Sequence, residues 1–142
     1  MIYNINQRKY LARHPRWAVG WFERLRGMIG RRFVDGELDA MVFERCGMVH
    51  SCWMSIPLDL LFLDVDRRVV AVRCDFRPWR WPVGCRRAVT VVELPAGVIA
   101  ATRTRVGDRL NLNSTLDGET IEKLQEKSML KAEISPFSNG AE

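Results

Sequence analysis

The chain has no apolar stretch long enough to cross a bilayer, so the sequence offers no transmembrane helix and no membrane partner is expected. The stretch from Met1 to Pro15 is polar and basic and has no apolar h-region. No secretory signal peptide is read there, and a cytoplasmic location is expected. In that compartment Cys46, Cys52, Cys74 and Cys85 are expected as thiols rather than disulfides. There is no Cys-x-x-Cys knuckle. The tempting set of Cys46, His50, Cys52, Cys74 and Cys85 therefore lacks the usual spacing of a tetrahedral zinc site, and no metal is expected. A Gly-rich phosphate loop, a Gly-x-Ser-x-Gly elbow and a His-Glu-x-x-His pair are also missing. This removes the commonest sequence marks of P-loop nucleotide binding, serine hydrolysis and zinc proteolysis, and no cofactor is implied. No internal repeat or low-complexity tract is present, which excludes a solenoid or a fibrous array.

What is present fits a single packed unit. The chain has 142 residues, of which 47% are hydrophobic, enough for one core. Net charge is +5, unevenly spread. Residues 114–142 hold six acids and three lysines, a balance of −3, which leaves +8 on residues 1–113. The expected organisation is a β-rich globular domain over 1–113. An acidic, partly helical tail follows over 114–142 and is expected to end in disorder. A basic body can attract nucleic acid or acidic proteins; the plainer reading is an arginine-rich solvated surface.

Residues 1–15 read as an extended arm or a short edge strand. Trp17, Trp21, Phe22, Leu25, Met28 and Ile29 recur at helical spacing, which predicts an amphipathic helix over about 17–29, stopped by Gly30. Beyond Asp39 short runs rich in Val, Ile, Leu and Phe predict strands at Ala40–Glu44, Val49–Met54, Leu58–Leu63, Val69–Asp75, Ala88–Leu94 and Arg109–Leu112. A hairpin turn is expected at Asp64–Arg68, and one or two helical turns at Val98–Thr104. Strands with short links and no βαβ rhythm point to a mainly β sandwich or partly open barrel with one helix packed on it. Residues 119–131 favour a second helix with a thin apolar stripe of Ile121, Leu124 and Met129.

The run from His50 to Asp64 sets polar residues inside apolar sequence. Strand alternation puts His50, Cys52 and Met54 on one face, and Val91, Glu93 and Pro95 on one face of a later strand. If those strands are neighbours, His50, Asp59 and Glu93 could converge, with Arg24 or Arg26 from the helix. A histidine with carboxylates could act as a general base, the basis of a hydrolase-like alternative. The structural alternative is that Asp59 caps backbone amides and that Glu93 pairs with an arginine. Phe76-Arg77-Pro78-Trp79-Arg80-Trp81-Pro82 interleaves arginines with aromatics, and Arg86 and Arg87 follow. Such a loop can stack a ring and hold an anion, or cover the end of the sandwich with arginine packed on tryptophan.

Four ordered segments resemble one family, the bacterial and archaeal "domain of unknown function 192". They are Arg24–Arg31, the stretch Cys46–Asp64, Arg77-Pro78-Trp79-Arg80, and Val92–Gly97 with Gly107-Asp108. The resemblance spans roughly residues 18–112. It departs at Ser51, where threonine is usual, and at Asp66-Arg67, where Asp-Gly is usual, so the hairpin turn is expected to be longer or strained. The resemblance implies a compact β-sandwich-type domain with a helix on one side, and it supplies no catalytic residues. The leading expectation is thus a small non-enzymatic domain. It would bind an unknown small molecule or protein through the 76–87 loop and the groove near His50, using Arg24, Arg26, Arg77, Trp79, Arg80 and Trp81. Nucleic-acid binding by the basic body is a further alternative. Oligomeric state is not readable from the sequence.

Overall fold

Leu58–Leu63 is buried at every position, so both faces of this strand are covered and it belongs to a middle layer. In a computed structural model, residues 1–19, 24, 26–28, 30–34, 36–50 and 54–113 are described. The expected tail 114–142, and Trp21, Phe22, Leu25 and Ile29 of the expected helical stripe, lie outside them. The strands are β1 (Ile2–Asn4), β2 (Lys9–Ala12), β3 (Pro15–Trp17), β4 (Ala40–Glu44), β5 (Met48–Val49), β6 (Leu58–Leu63), β7 (Val69–Phe76), β8 (Val83–Gly84), β9 (Thr90–Pro95) and β10 (Leu110–Leu112). A short helix, α1 (Val98–Thr102), follows β9.

The middle layer is a five-stranded sheet of order β3-β4-β9-β6-β7. All its pairings are antiparallel except β3 with β4. Alternation along these strands sorts their side chains into two cores. Met41, Phe43, Leu58, Leu60, Phe62 and Val91 build one with Met28, Val49, Met54 and Phe76. Ala40, Val42, Leu61, Leu63, Val92 and Leu94 build the other with Ile2, Leu11, Ile99 and Leu110. The second core is closed by α1 and by a three-stranded sheet of order β10-β1-β2. The result is a mainly β sandwich whose sheets stay open rather than closing into a barrel. A two-stranded ribbon, β5-β8, flanks the first core.

Two local differences from expectation have physical causes. Trp17 is in an edge strand parallel to β4, with Pro15–Trp17 facing Ala40–Val42, and not in a helix. It packs on the second core, whereas Met28 lies in the first, so the two are not on one helical face. Arg24 and Arg26 do have helical backbone. The N-terminal arm is no arm: β1 is the central strand of its sheet, and Ile2 and Asn4 are fully buried. One partner, β2, is the next strand in the chain, but the other, β10, lies more than a hundred residues away, so nothing local announces that β1 is covered on both edges. The Asp64–Arg68 hairpin forms as expected, and Arg67 takes a left-handed φ of 60° where glycine would be free to do so. The Asp64 carboxylate steadies that turn by accepting from the amides of Asp66 (2.9 Å) and Arg68 (3.0 Å). The Arg67 guanidinium donates to Thr90 Oγ1 and Glu44 Oε1 at 3.0 and 2.8 Å.

Asn4 ties the two ends of the domain together. Its Nδ2 donates to Thr104 Oγ1 (3.0 Å) and Asp108 Oδ2 (2.8 Å), and its Oδ1 accepts from the amides of Asn6 and Gln7. Every hydrogen-bonding position of this buried amide is used. Asn4→Ala strands several of those partners, and a loss of about 2–4 kcal/mol is expected in chemical denaturation. A loss below about 1 kcal/mol would show that the network is not sealed from water.

Candidate functional site

Asp59 and Glu93 sit on neighbouring strands, but the register separates them. Asp59 is opposite Leu94, and Leu60 is opposite Glu93. A side chain opposite another shares its face, so Asp59 points with Leu94 to the second core and Glu93 points with Leu60 to the first. The carboxylates are on opposite faces of one sheet. The expected convergence of His50, Asp59 and Glu93 therefore stops at His50 and Glu93.

Asp59 is 1% exposed, and backbone amides satisfy it. Oδ1 accepts from Asp75 N (3.0 Å), and Oδ2 accepts from Gly97 N (3.0 Å) and Ile99 N (2.9 Å). One carboxylate thus fixes the end of β7, where Asp75 has φ 51°, and the first turn of α1, whose N-cap Gly97 has φ 95° and no cap of its own. A negative group at a helix start also meets the positive end of the helix dipole. This is the capping role, and it removes Asp59 from any acid–base pair with His50.

Glu93 is the opposite case. It is 4% exposed, and among the described residues its Oε2 has no hydrogen-bond partner. Burial alone raises its pKa to about 8, so the carboxyl is mainly protonated at neutral pH. It lines a cavity of about 30 Å³ with Arg26, Gly27, Met28, Val49, His50 and Met54. That is room for one or two waters or the tip of a larger group. Gly27 forms one wall: a methyl built on it would reach to 4.0 Å from both carboxyl oxygens, and its φ of 47° suits glycine. Apolar walls from Met28, Val49 and Met54 keep the carboxyl dry, while His50 and Arg26 are exposed at the rim. Gly27 as a wall was not singled out in the sequence; its place three residues before the helix stop Gly30 hides its function. Every described residue around this cavity falls in one of three segments that carry the family resemblance.

Arg24 does not reach this cavity. Its Nη1 donates to Glu44 O (2.6 Å) and its Nη2 to Arg45 O (3.0 Å), closing the end of β4. Ser51, Cys52 and Trp53 lie outside the described residues. Cys46 and Cys85 are free thiols packed beside the first core. Cys74, on β7, is exposed, and burial of its thiol followed by the nearby Asp59 charge pushes its pKa up. A raised pKa leaves little thiolate for nucleophilic chemistry.

The arginine–tryptophan loop leaves a second, wider concavity of about 410 Å³. Arg73, Cys74, Asp75, Phe76, Arg77, Arg80, Trp81 and Val83 line it. Arg77 Nε pairs with Asp75 Oδ2 at 2.9 Å. Trp79 is 62% exposed and Trp81 89%. Val83 in this groove is the register partner of Val49 in the Glu93 cavity, so the β5-β8 ribbon stands between the two.

Comparison with known proteins agrees with this architecture. Residues 5–112 match the family model described as DUF192, Uncharacterized ACR. A UPF0127 protein of Pyrococcus furiosus is 31% identical over 112 residues, covering 78% of this chain and 96% of the relative. A UPF0127 protein of Thermococcus sibiricus is 28% identical over 114 residues, covering 78% of this chain and 73% of the relative. A crystal structure of a protein of unknown function from Novosphingobium aromaticivorans superposes with a TM-score of 0.62 at 24% identity, covering 69% of this chain and 74% of that one. That similarity speaks to the fold. Among the described residues no helix is long and apolar enough to cross a membrane.

Proposed function

This chain belongs to the DUF192 family of uncharacterised proteins, and we propose that it is a non-enzymatic binding module whose ligand inserts an uncharged hydrogen-bonding tip beside Glu93. The observation that carries this reading is the buried Glu93 Oε2, without a hydrogen-bond partner among the described residues, on the wall of the 30 Å³ cavity. A buried polar atom without a partner costs about 1–3 kcal/mol, which a ligand group or ordered water recovers. A protonated carboxyl offers one donor and one acceptor. Its natural complement is a hydroxyl or an amide, which also offers both. An ammonium tip fits less well, because it needs the ionised carboxylate and must pass Arg26 at the rim.

The hydrolase-like alternative keeps only His50 and Glu93. A carboxyl titrating near 8 suits a general acid. With Asp59 engaged by three amides and Glu93 mainly protonated at neutral pH, the expected trio leaves no ionised carboxylate to orient His50, and binding is the better-supported reading.

A set of three-carbon probes tests it: propionamide, 1-propanol, propylammonium and propionate, followed through the ¹³C resonance of the Glu93 carboxyl. At pH 6.5 propionamide and propanol should move that resonance with millimolar affinity, and propionate should not. Propylammonium should do so only near pH 8 and above. Gly27→Ala, which adds a methyl at the cavity wall, should weaken propionamide by roughly tenfold. If no probe moves the resonance, or if Gly27→Ala binds as well as the native protein, the reading fails.

A further inference from the structure

The groove at the end of β7 has a chemistry distinct from that of the Glu93 cavity, and its ligand can be argued separately. At about 410 Å³ it falls within the usual range of small-molecule sites, whereas the Glu93 cavity holds only a tip. Among the described residues its lining carries three arginines against one aspartate, a net charge of +2. The one acid, Asp75, is already held by Arg77. The groove is therefore electropositive and attracts an anion. Its remaining lining is flat or apolar: Phe76, Val83 and Trp81.

Trp81 is 89% exposed, on the loop that leaves β7. A large indole left in water is unusual unless a partner covers it, because its apolar area then goes unburied. The loop is built rather than slack. Asp59 holds the Asp75 amide at its base, Phe76 anchors it in the first core, and Trp79 holds a left-handed φ of 60°. A non-glycine residue in that conformation carries strain that the surroundings must hold, a pattern common at binding sites.

We propose that this groove binds a nucleoside phosphate, with the base stacked on Trp81 and the phosphate held by the arginines of the lining. A planar ring joined to an anion matches a flat indole beside a net positive charge, and neither half alone uses both features. The same chemistry is offered by a free nucleotide and by one unit of a single strand. An anionic membrane surface is the competing partner for exposed tryptophan and arginine. A concave groove favours an inserted ring over a flat bilayer face.

The test uses the full chain and four probes: AMP, adenosine, inorganic phosphate and a short single-stranded oligoadenylate. Binding is read by equilibrium dialysis and by quenching of tryptophan fluorescence. AMP should bind, with adenosine and phosphate each at least about tenfold weaker. Trp81→Ala should weaken AMP by about tenfold or more, the range expected for a lost base stack. Arg73→Ala should weaken AMP and flatten its dependence on salt. Both side chains are solvent-exposed, so both variants are expected to fold, which circular dichroism verifies. If the oligonucleotide binds more tightly per site than AMP, with a steep salt dependence, the source is a strand; if AMP binds as tightly, the source is a free nucleotide. The proposal is overturned if neither binds below about 5 mM. Equal binding to native protein and Trp81→Ala also overturns it, as does binding only to vesicles of anionic phospholipid.

Discussion

Glu93→Gln should make the protein progressively more stable than the native chain as pH rises from about 4.5 to 8. The cause is a buried carboxyl whose pKa is raised to about 8 by desolvation. In the unfolded chain Glu93 ionises near its ordinary value, while in the folded protein it keeps its proton. Between those two values the unfolded state binds fewer protons, so folding stability falls as pH rises. The contribution is fully present below the unfolded pKa and is lost by about pH 8. By pH 7 the native protein should have lost about 3 kcal/mol relative to its glutamine variant, and by pH 8 and above about 5 kcal/mol. Other carboxylates change stability with pH in both proteins alike, so the difference isolates Glu93. Urea denaturation of the pair from pH 4.5 to 9 measures it. A difference that stays flat across that window would mean that Glu93 is solvated or paired.

The second large effect is at Asp59. Asp59→Ala leaves the amides of Asp75, Gly97 and Ile99 without their acceptor. It also removes the negative group from the start of α1. Stranded amides at about 1–3 kcal/mol each, with the lost cap, give an expected loss of about 4 kcal/mol. Against a typical domain stability of about 5–15 kcal/mol this is severe. Thermal unfolding should fall by roughly 10–20 °C. Asp59→Asn keeps one oxygen but turns an NH₂ toward an amide donor, so it should recover only part of the loss. If Asp59→Asn were as stable as the native protein, the charge of this carboxylate would be irrelevant to the cap. Because Asp59 belongs to the frame, its loss should act on stability first and on binding only through the displaced loop.

The contrast between these carboxylates shows where the sequence stops being informative. Alternation within a strand is plain in the residues, and β4, β6 and β7 lie where the apolar runs place them. Alternation assigns a face within one strand, not a register between two. A shift of one residue would have put Asp59 opposite Glu93 and on its face. The observed pairing of Asp59 with Leu94 puts it on the other face, and that pairing depends on the whole sheet. Pairing of Glu93 with an arginine was one expectation, whereas among the described residues its Oε2 has no hydrogen-bond partner. Ile2 and Asn4 gave no local sign of burial, because β10 arrives from the far end of the domain. Arg24 looked like a site residue and is spent on two carbonyls of a turn. The Asp66-Arg67 departure was informative, since it marked a turn in which Arg67 holds a left-handed conformation.

The proposed site depends on Glu93 being a dry, protonated carboxyl that lines a small cavity. Direct titration of its side-chain carboxyl by ¹³C NMR tests this most simply. A midpoint near 8 is the expected result. A midpoint near the ordinary glutamate value of about 4.3 would place the carboxyl in water or beside a cation and contradict the proposed site.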